Sequence, residues 1–589
     1  MPSPQARSTR APARTADEAA PKAVLLLAAL LATAAPTLLA YNVAPSSTFF
    51  NQALSIGLWG WFVMACAWWQ PRGLLVWRDT AALSATFAGL VLAACGSWGW
   101  GSLPASLALS AIGSLLVAWL VALAGAASAR APLGLTIFTA FCWGLLAAGV
   151  LGGVIGAVQV FMPAWADGDW IAHSGIAGRA VGNLRQPNHL SSLLLWAAVA
   201  LVALHGLRRV ATRLTFVVMA LLIFALVLTA SRTGLVSVLL LALWGVADRH
   251  LQRSTRALLI STPLLYLLAW LAMLGWGQMG GHAFGGAARL AETDISGSRF
   301  AIWANAWALI KVQPWLGVGF GEFNFAWSLT PFPQRPVAFF DHAHNLPLHL
   351  AVELGLPLAV LLMTLMIWAL WRALRAALAA RGDTGTTQRC AFMMVLMIGL
   401  HSLLEYPLWY AYFLLPAMWI WGFALGQAST ARLSANHGAV GAAGFTAAGA
   451  LLVVGAALAV LDYGRVSVIF SAREGAPPLE QRIAQGQRSL LFAHHADYAA
   501  ATIDDPARPL APFAGAAHYL LDTRLMTAWA EALNANGQDD AARHVVQRLR
   551  EFRNAGSKEF LGACAAASSP PPFQCLSPVR ELHWRELAR

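Results

Sequence analysis

Five short segments hold the residues whose types and spacing could do chemistry. They are Gly182–His189 (GNLRQPNH), Ser231–Gly234 (SRTG), Ser296–Phe300 (SGSRF), Asp341–Pro347 (DHAHNLP) and His401–Tyr406 (HSLLEY). Arginine carries a rigid fork of N–H donors that matches phosphate oxygens, so Arg185, Arg232 and Arg299 are candidate diphosphate ligands. Histidine titrates near neutral pH and can take a proton from a hydroxyl. His344 is the first candidate for that work, with His349, His342 and His401 as secondary ones. His401 and Glu405 are four residues apart, a spacing that puts both on one helix face, and Tyr406-Pro407 closes the segment. Together these groups suggest transfer of a group from a lipid-linked diphosphate to an alcohol. Arginine rather than a metal would then stabilise the leaving diphosphate.

Each feature also has a plainer reading. A lone arginine at a helix end often snorkels to headgroups, and His401 with Glu405 could simply lock two helices together. His342 and His344, separated by one residue, fall short of a metal site. No CxxC, HExxH or phosphate-loop pattern occurs, so soluble-type metal or nucleotide chemistry has no support. Gly317–Gly321 (GVGFG) reads as a turn.

The elements that must position these residues follow from composition. Of 589 residues, 58% are hydrophobic and 11% are charged, with a mean hydropathy of +0.60. Such a chain is neither a soluble multidomain enzyme nor disordered nor fibrous; it reads as all-α, a polytopic membrane bundle. The net charge of +12 fits basic loops against anionic lipid better than a nucleic-acid surface. Apolar runs near 23–41, 52–69, 80–97, 104–127, 134–161, 190–206, 214–230, 234–247, 257–276, 346–370, 390–405, 409–427 and 439–461 predict about 12–13 transmembrane helices. The N-terminal run has the look of a signal peptide, but the many spans that follow favour an uncleaved first helix.

Orientation follows from basic residues. With Met1 cytoplasmic, Arg72 and Arg78, Arg130, Arg208–Arg213, Arg249–Arg256, Arg372–Arg389 and Arg432 all fall in short inner loops, as the positive-inside rule requires. The division is then a basic cytoplasmic tail 1–22, a transmembrane body 23–461 and a periplasmic C-terminal domain 462–589. A large periplasmic loop spans 277–345. This threading brings all five segments to the outer face. The tail reads as short helices over Leu479–Phe492 and Thr523–Arg553, with Gly537 turning between two of them, in the manner of a tetratricopeptide hairpin. Capping and peptide-binding roles are equally open for it. Cys564 and Cys575 flank Pro570–Pro572 and could form a disulfide in an oxidising compartment.

At this point the chain resembles the bacterial O-linked oligosaccharyltransferases, the protein or pilin glycosylation ligases of the O-antigen ligase and polymerase superfamily. The superfamily pattern of His-Asn followed by Gly is met by His344-Asn345 and Gly355, whereas Leu358 stands where it usually continues with Gly, Thr or Tyr. Gly182–His189, Asp341–Pro347, His401–Tyr412 and the stretch Val466–Ala500 look closest to the protein-glycosylating branch. The resemblance implies en bloc transfer of a glycan from undecaprenyl diphosphate to a Ser or Thr hydroxyl of a periplasmic protein. It implies an active site on the periplasmic side of the inner membrane, with no cofactor and no essential metal. By position, His344 and Tyr406 look like the family's essential histidine and tyrosine, with Glu405 beside them in the candidate catalytic set. Arg232 and Arg299 look like its diphosphate-binding pair, and Arg185 is a candidate from its loop. Two other functions compete. Lipid A core or a growing O-unit could replace the protein acceptor, or the chain could be a transporter or flippase.

Overall fold

The computed structural model describes residues 19–68, 78–287, 295–337, 339–428, 440–503, 509–565 and 570–587. Most of the basic 1–22 tail, with Arg72 and Arg432, lies outside them. Among the described residues the regular elements are all helical. The first nine helices are α1 (Ala19–Leu38), α2 (Phe49–Ala67), α3 (Ala81–Gly99), α4 (Ala105–Arg130), α5 (Gly134–Phe161), α6 (Pro187–Gly206), α7 (Thr212–Leu228), α8 (Arg232–Ala247) and α9 (Arg253–Gly280). There follow α10 (Ile295–Val312), α11 (Phe323–Leu329), α12 (Leu346–Leu354), α13 (Leu356–Ala379), α14 (Gly382–Ser402), α15 (Ala411–Gln427) and α16 (Val440–Phe470). Six further helices form the tail: α17 (Leu479–Gly486), α18 (Ala493–Thr502), α19 (Phe513–Tyr519), α20 (Thr523–Ala535), α21 (Asp539–Phe552) and α22 (Ala555–Leu561).

A helix stands at every expected span, including the short α8. By length and apolar composition, 8 of the described helices can cross a membrane alone, and α1, α7 and α8 are shorter apolar helices. The central one is α6, buried along almost its whole length between α5, α7 and α14. In lipid, apolar side chains gain little by leaving their solvent, so helices are held by close backbone approach at small residues. The seam between α4 and α15 shows this. A methyl group added at Gly422 would lie 1.9 Å from the Ala122 carbonyl oxygen, and one at Gly426 would lie 2.3 Å from that of Ala126.

One expected span differs. The run at 346–370 is split, because Gly355 takes φ +78° and the helix restarts at Leu356, with Pro357 as its second residue. A Cβ at Gly355 would meet the Trp315 carbonyl oxygen at 2.3 Å, so only glycine fits there. The short α12 therefore lies outside the span that begins at Leu356. Facing it, the Gly317–Gly321 segment is the expected turn, and Val318 and Gly319 donate to the Val352 and Glu353 carbonyls at 2.9 Å.

The loop and the tail share one apolar core. Phe323, Phe325 and Trp327 of α11 pack with Phe513, Trp529, Leu549 and Phe552 of the tail. Buried Arg335 ion-pairs with Glu551 (Nε–Oε2 3.0 Å) and donates to the Trp327 carbonyl at 2.9 Å. His518 Nδ1 lies 2.7 Å from Glu322 Oε2. The predicted hairpin is present as α20 and α21, turned at Gly537 (φ +73°). The Leu479–Phe492 stretch is helical only to Gly486. Cys564 and Cys575 are disulfide-bonded.

Candidate active site

Four segments converge on the carboxylate of Glu405. Helix α14 ends at Ser402, and Leu404 and Glu405 donate their N–H groups back to the His401 carbonyl at 3.0 and 2.9 Å. The expectation that His401 and Glu405 share a helix face is therefore corrected: the turn swings Glu405 out of the helix. His401 stays buried, with Nδ1 2.7 Å from Ser192 Oγ on α6. Pro407 then opens a short 3-10 turn, Pro407–Trp409, that leads into α15.

Glu405 Oε2 faces His344 Nδ1 at 3.4 Å, and Oε1 accepts from the Arg299 guanidinium and, at 3.0 Å, from Asn188 Nδ2. Burial pushes this carboxyl up, but the His344 ring and the Arg299 guanidinium outweigh it and hold it down at about 2. His344 itself sits at φ +51°, a region that a non-glycine residue adopts only when its surroundings enforce it. They do. Trp303 Nε1 donates to the Ala343 carbonyl at 3.0 Å on one side. On the other, Asn345 caps α12 through Leu348 N at 3.0 Å and donates to the Leu403 carbonyl at 3.0 Å. Those bonds tie the histidine loop directly to the turn that carries Glu405.

The rings around this pair are ordered. Tyr406 lies edge-on to His344 (centroids 4.8 Å apart) and stacks on His342 (4.3 Å, 13° between planes). Burial drives the Tyr406 phenol far up, so it stays a neutral O–H. His342 Nδ1 pairs with Asp341 Oδ1 at 3.0 Å. Burial opposes ionisation of Asp341, but the His342 ring holds it at about 2. His349 faces Glu353 across 3.4 Å within α12, and Trp409 packs edge-on to both His342 and His349. Among the described residues no three His, Cys, Asp or Glu side chains group to hold a metal ion.

The arginines divide. Arg299 joins the cluster. Arg232 is exposed at the first turn of α8 and has no hydrogen bond or ion pair to another described residue, which leaves its fork free for a ligand. Arg185, at φ +57°, is taken up by the Ala40 and Ser47 carbonyls of the α1–α2 connection. That fits a clamp on this loop rather than a phosphate ligand. Sequence reasoning gave no role to Asn188, Ser231 or Gln159. The last is buried in α5, accepts from Val181 N and Gly182 N at 2.9 and 2.8 Å, and so holds the Gly182–His189 segment in place. The one signal for such residues is a polar amide inside an otherwise apolar span, which must be hydrogen-bonded.

Comparison with known proteins bears out the resemblance. The chain matches the family described as O-Antigen ligase over residues 217–363, and the one described as Protein glycosylation ligase over residues 180–205. It matches the family described as Virulence factor membrane-bound polymerase, C-terminal, over residues 390–559. Two proteins of Acinetobacter baylyi are similar. A ComP-specific O-oligosaccharyltransferase is 27% identical over 265 residues, 44% of this chain and 46% of that protein. A General O-oligosaccharyltransferase is 27% identical over 265 residues, 42% of this chain and 44% of that protein. The likeness thus spans a little under half the length of either relative.

Proposed function

We propose that this chain is an oligosaccharyltransferase. It moves a preassembled glycan from undecaprenyl diphosphate to Ser or Thr hydroxyls of periplasmic or pilin-like proteins, at the outer face of the inner membrane. The observation that supports this most is the meeting of Arg299 and His344 at the Glu405 carboxylate, with exposed Arg232 following Ser231, which donates to the Asn188 amide of the same cluster. Glu405 takes His344 Nδ1, so Nε2 is the ring nitrogen left for the acceptor. As the acceptor oxygen attacks the anomeric carbon, its proton passes to Nε2 and the bond from that carbon to the diphosphate oxygen breaks. Arg232 and Arg299 meet the charge on the departing diphosphate. Glu405 stabilises the imidazolium that forms, and Tyr406 packs the ring in place. A single displacement inverts the anomeric configuration.

The match to the O-antigen ligase family keeps lipid A core, or a growing O-unit, as the second acceptor class. Deletion of the gene separates the two. On the protein-acceptor reading, a pilin-like or Ser-rich periplasmic protein loses the mass of a glycan while lipopolysaccharide banding is unchanged. Altered banding with no change in any protein's mass would establish the second reading.

A further inference from the structure

The Glu405 carboxylate has one partner that no transfer step uses. Asn188, the second residue of α6, is 7% exposed and donates from Nδ2 to Glu405 Oε1 at 3.0 Å. Its amide is itself oriented, because Ser231 Oγ donates to Asn188 Oδ1 at 2.7 Å. Ser231, 2% exposed, is the N-cap of α8 and accepts from Gly234 N at 3.1 Å, so its single proton is committed to Asn188. The next residue is Arg232.

We propose that Asn188, itself oriented by Ser231, is a positioning residue that keeps the Glu405 carboxylate aimed at His344. The inference rests on reading the site as a transferase. Its physical reason is a competition. A diphosphate draws on Arg299, the other donor to Oε1, whereas a neutral amide has no such attraction and keeps Glu405 aimed at His344 throughout. Loss of Asn188 should therefore lower turnover and leave donor affinity nearly intact.

The test is transfer from a purified lipid-linked glycan to an acceptor peptide in detergent, on variants matched to wild type for yield and apparent Tm. Asn188→Asp keeps size and still accepts from Ser231, but turns an acceptor toward Glu405. Its kcat should fall about ten- to a hundred-fold, the scale of one lost buried hydrogen bond to a charge. Its donor KM should stay within about threefold of wild type. Adding Glu405→Gln places a donor on the opposite side of the contact, so the double variant should be no slower than the slower single variant. Ser231→Thr keeps both cap and donor and should be near wild type. Ser231→Asp still caps α8 but cannot donate to Asn188, and should fall like Asn188→Asp. Multiplicative losses in the double variant, or Ser231→Asp matching Ser231→Thr, would overturn the proposal while leaving the transferase reading intact. Absence of transfer by the wild type would overturn both.

Discussion

His344 and His349 stand five residues apart in one segment, and each ring lies 3.4 Å from a glutamate oxygen. The surroundings differ. His349 and Glu353 lie one turn apart in the same short helix, both at most 8% exposed, and Glu353 also accepts from Phe323 N at 3.3 Å. Burial pushes His349 well below its usual range, with His342 adding to the effect, and pushes Glu353 up to about 7. That pair is close to a neutral hydrogen bond, suited to holding α12 against α11. His344 and Glu405 come from different segments, and the ring keeps 16% exposure next to Arg299. Their carboxylate is held ionised rather than neutralised. One pair shape therefore serves two ends, and the neighbouring cation with access to solvent marks the pair able to act.

The comparison breaks first at the arginines. On the proposed function, Arg299→Ala removes both a diphosphate ligand and a partner of Glu405, and Arg232→Ala removes a ligand alone. Each should nearly abolish transfer while the protein still inserts, since a lost charged partner is worth roughly 2–5 kcal/mol of binding. Lysine should rescue only in part because it lacks the fork. Wild-type rates for both alanine variants, measured as acceptor mass shift, would mean that Arg232 merely snorkels and the diphosphate binds elsewhere. A smaller effect is expected at Tyr406. Tyr406→Phe keeps the ring against His344 and loses only the O–H, so turnover should drop by about tenfold or less, whereas Tyr406→Ala should cost more. Equal losses for the two would show that the hydroxyl, not the packing, matters.

The smallest effect belongs to the buried pair and is read as stability. The folded pKa of Glu353 is raised to about 7 from its ordinary 4.5, so its contribution is full below the unfolded value and is lost as pH rises through 7. His349 works the other way, since its depressed pKa costs stability as pH falls below its ordinary 6.5, so the Glu353 contribution is read as a difference. The apparent Tm of the wild type in detergent should drop by a few degrees relative to Glu353→Gln between about pH 5 and 8. Transfer by Glu353→Gln at pH 7 should change by less than about threefold. An unchanged difference would place the titrating group elsewhere.

Much of this was legible in the sequence for a physical reason. Apolar runs of bilayer length and basic inner loops are local signals, and each expected span except 346–370, which is split at Gly355, is a single helix. His349 with Glu353 was readable from i,i+4 spacing alone. The same rule misled at His401 and Glu405, because it assumes that a helix continues and α14 stops at Ser402. Asn188 meets Glu405 across 217 positions, and Arg335 meets Glu551 across 216. Contacts of that kind are set by packing, to which periodicity is blind. The break at Gly355 was likewise hidden, since a Leu-Gly-Leu-Pro string inside an apolar run reads as one span until Trp315 is seen against it.

The most direct measurement compares the two histidines in single-turnover transfer from a purified lipid-linked glycan to an acceptor peptide, with donor binding measured in parallel. A general base typically contributes about 10²–10⁴-fold. His344→Ala should lose turnover on that scale with donor binding kept, while His349→Ala should retain turnover within about tenfold of wild type. Full activity of His344→Ala, or a collapse confined to His349→Ala, would contradict the account.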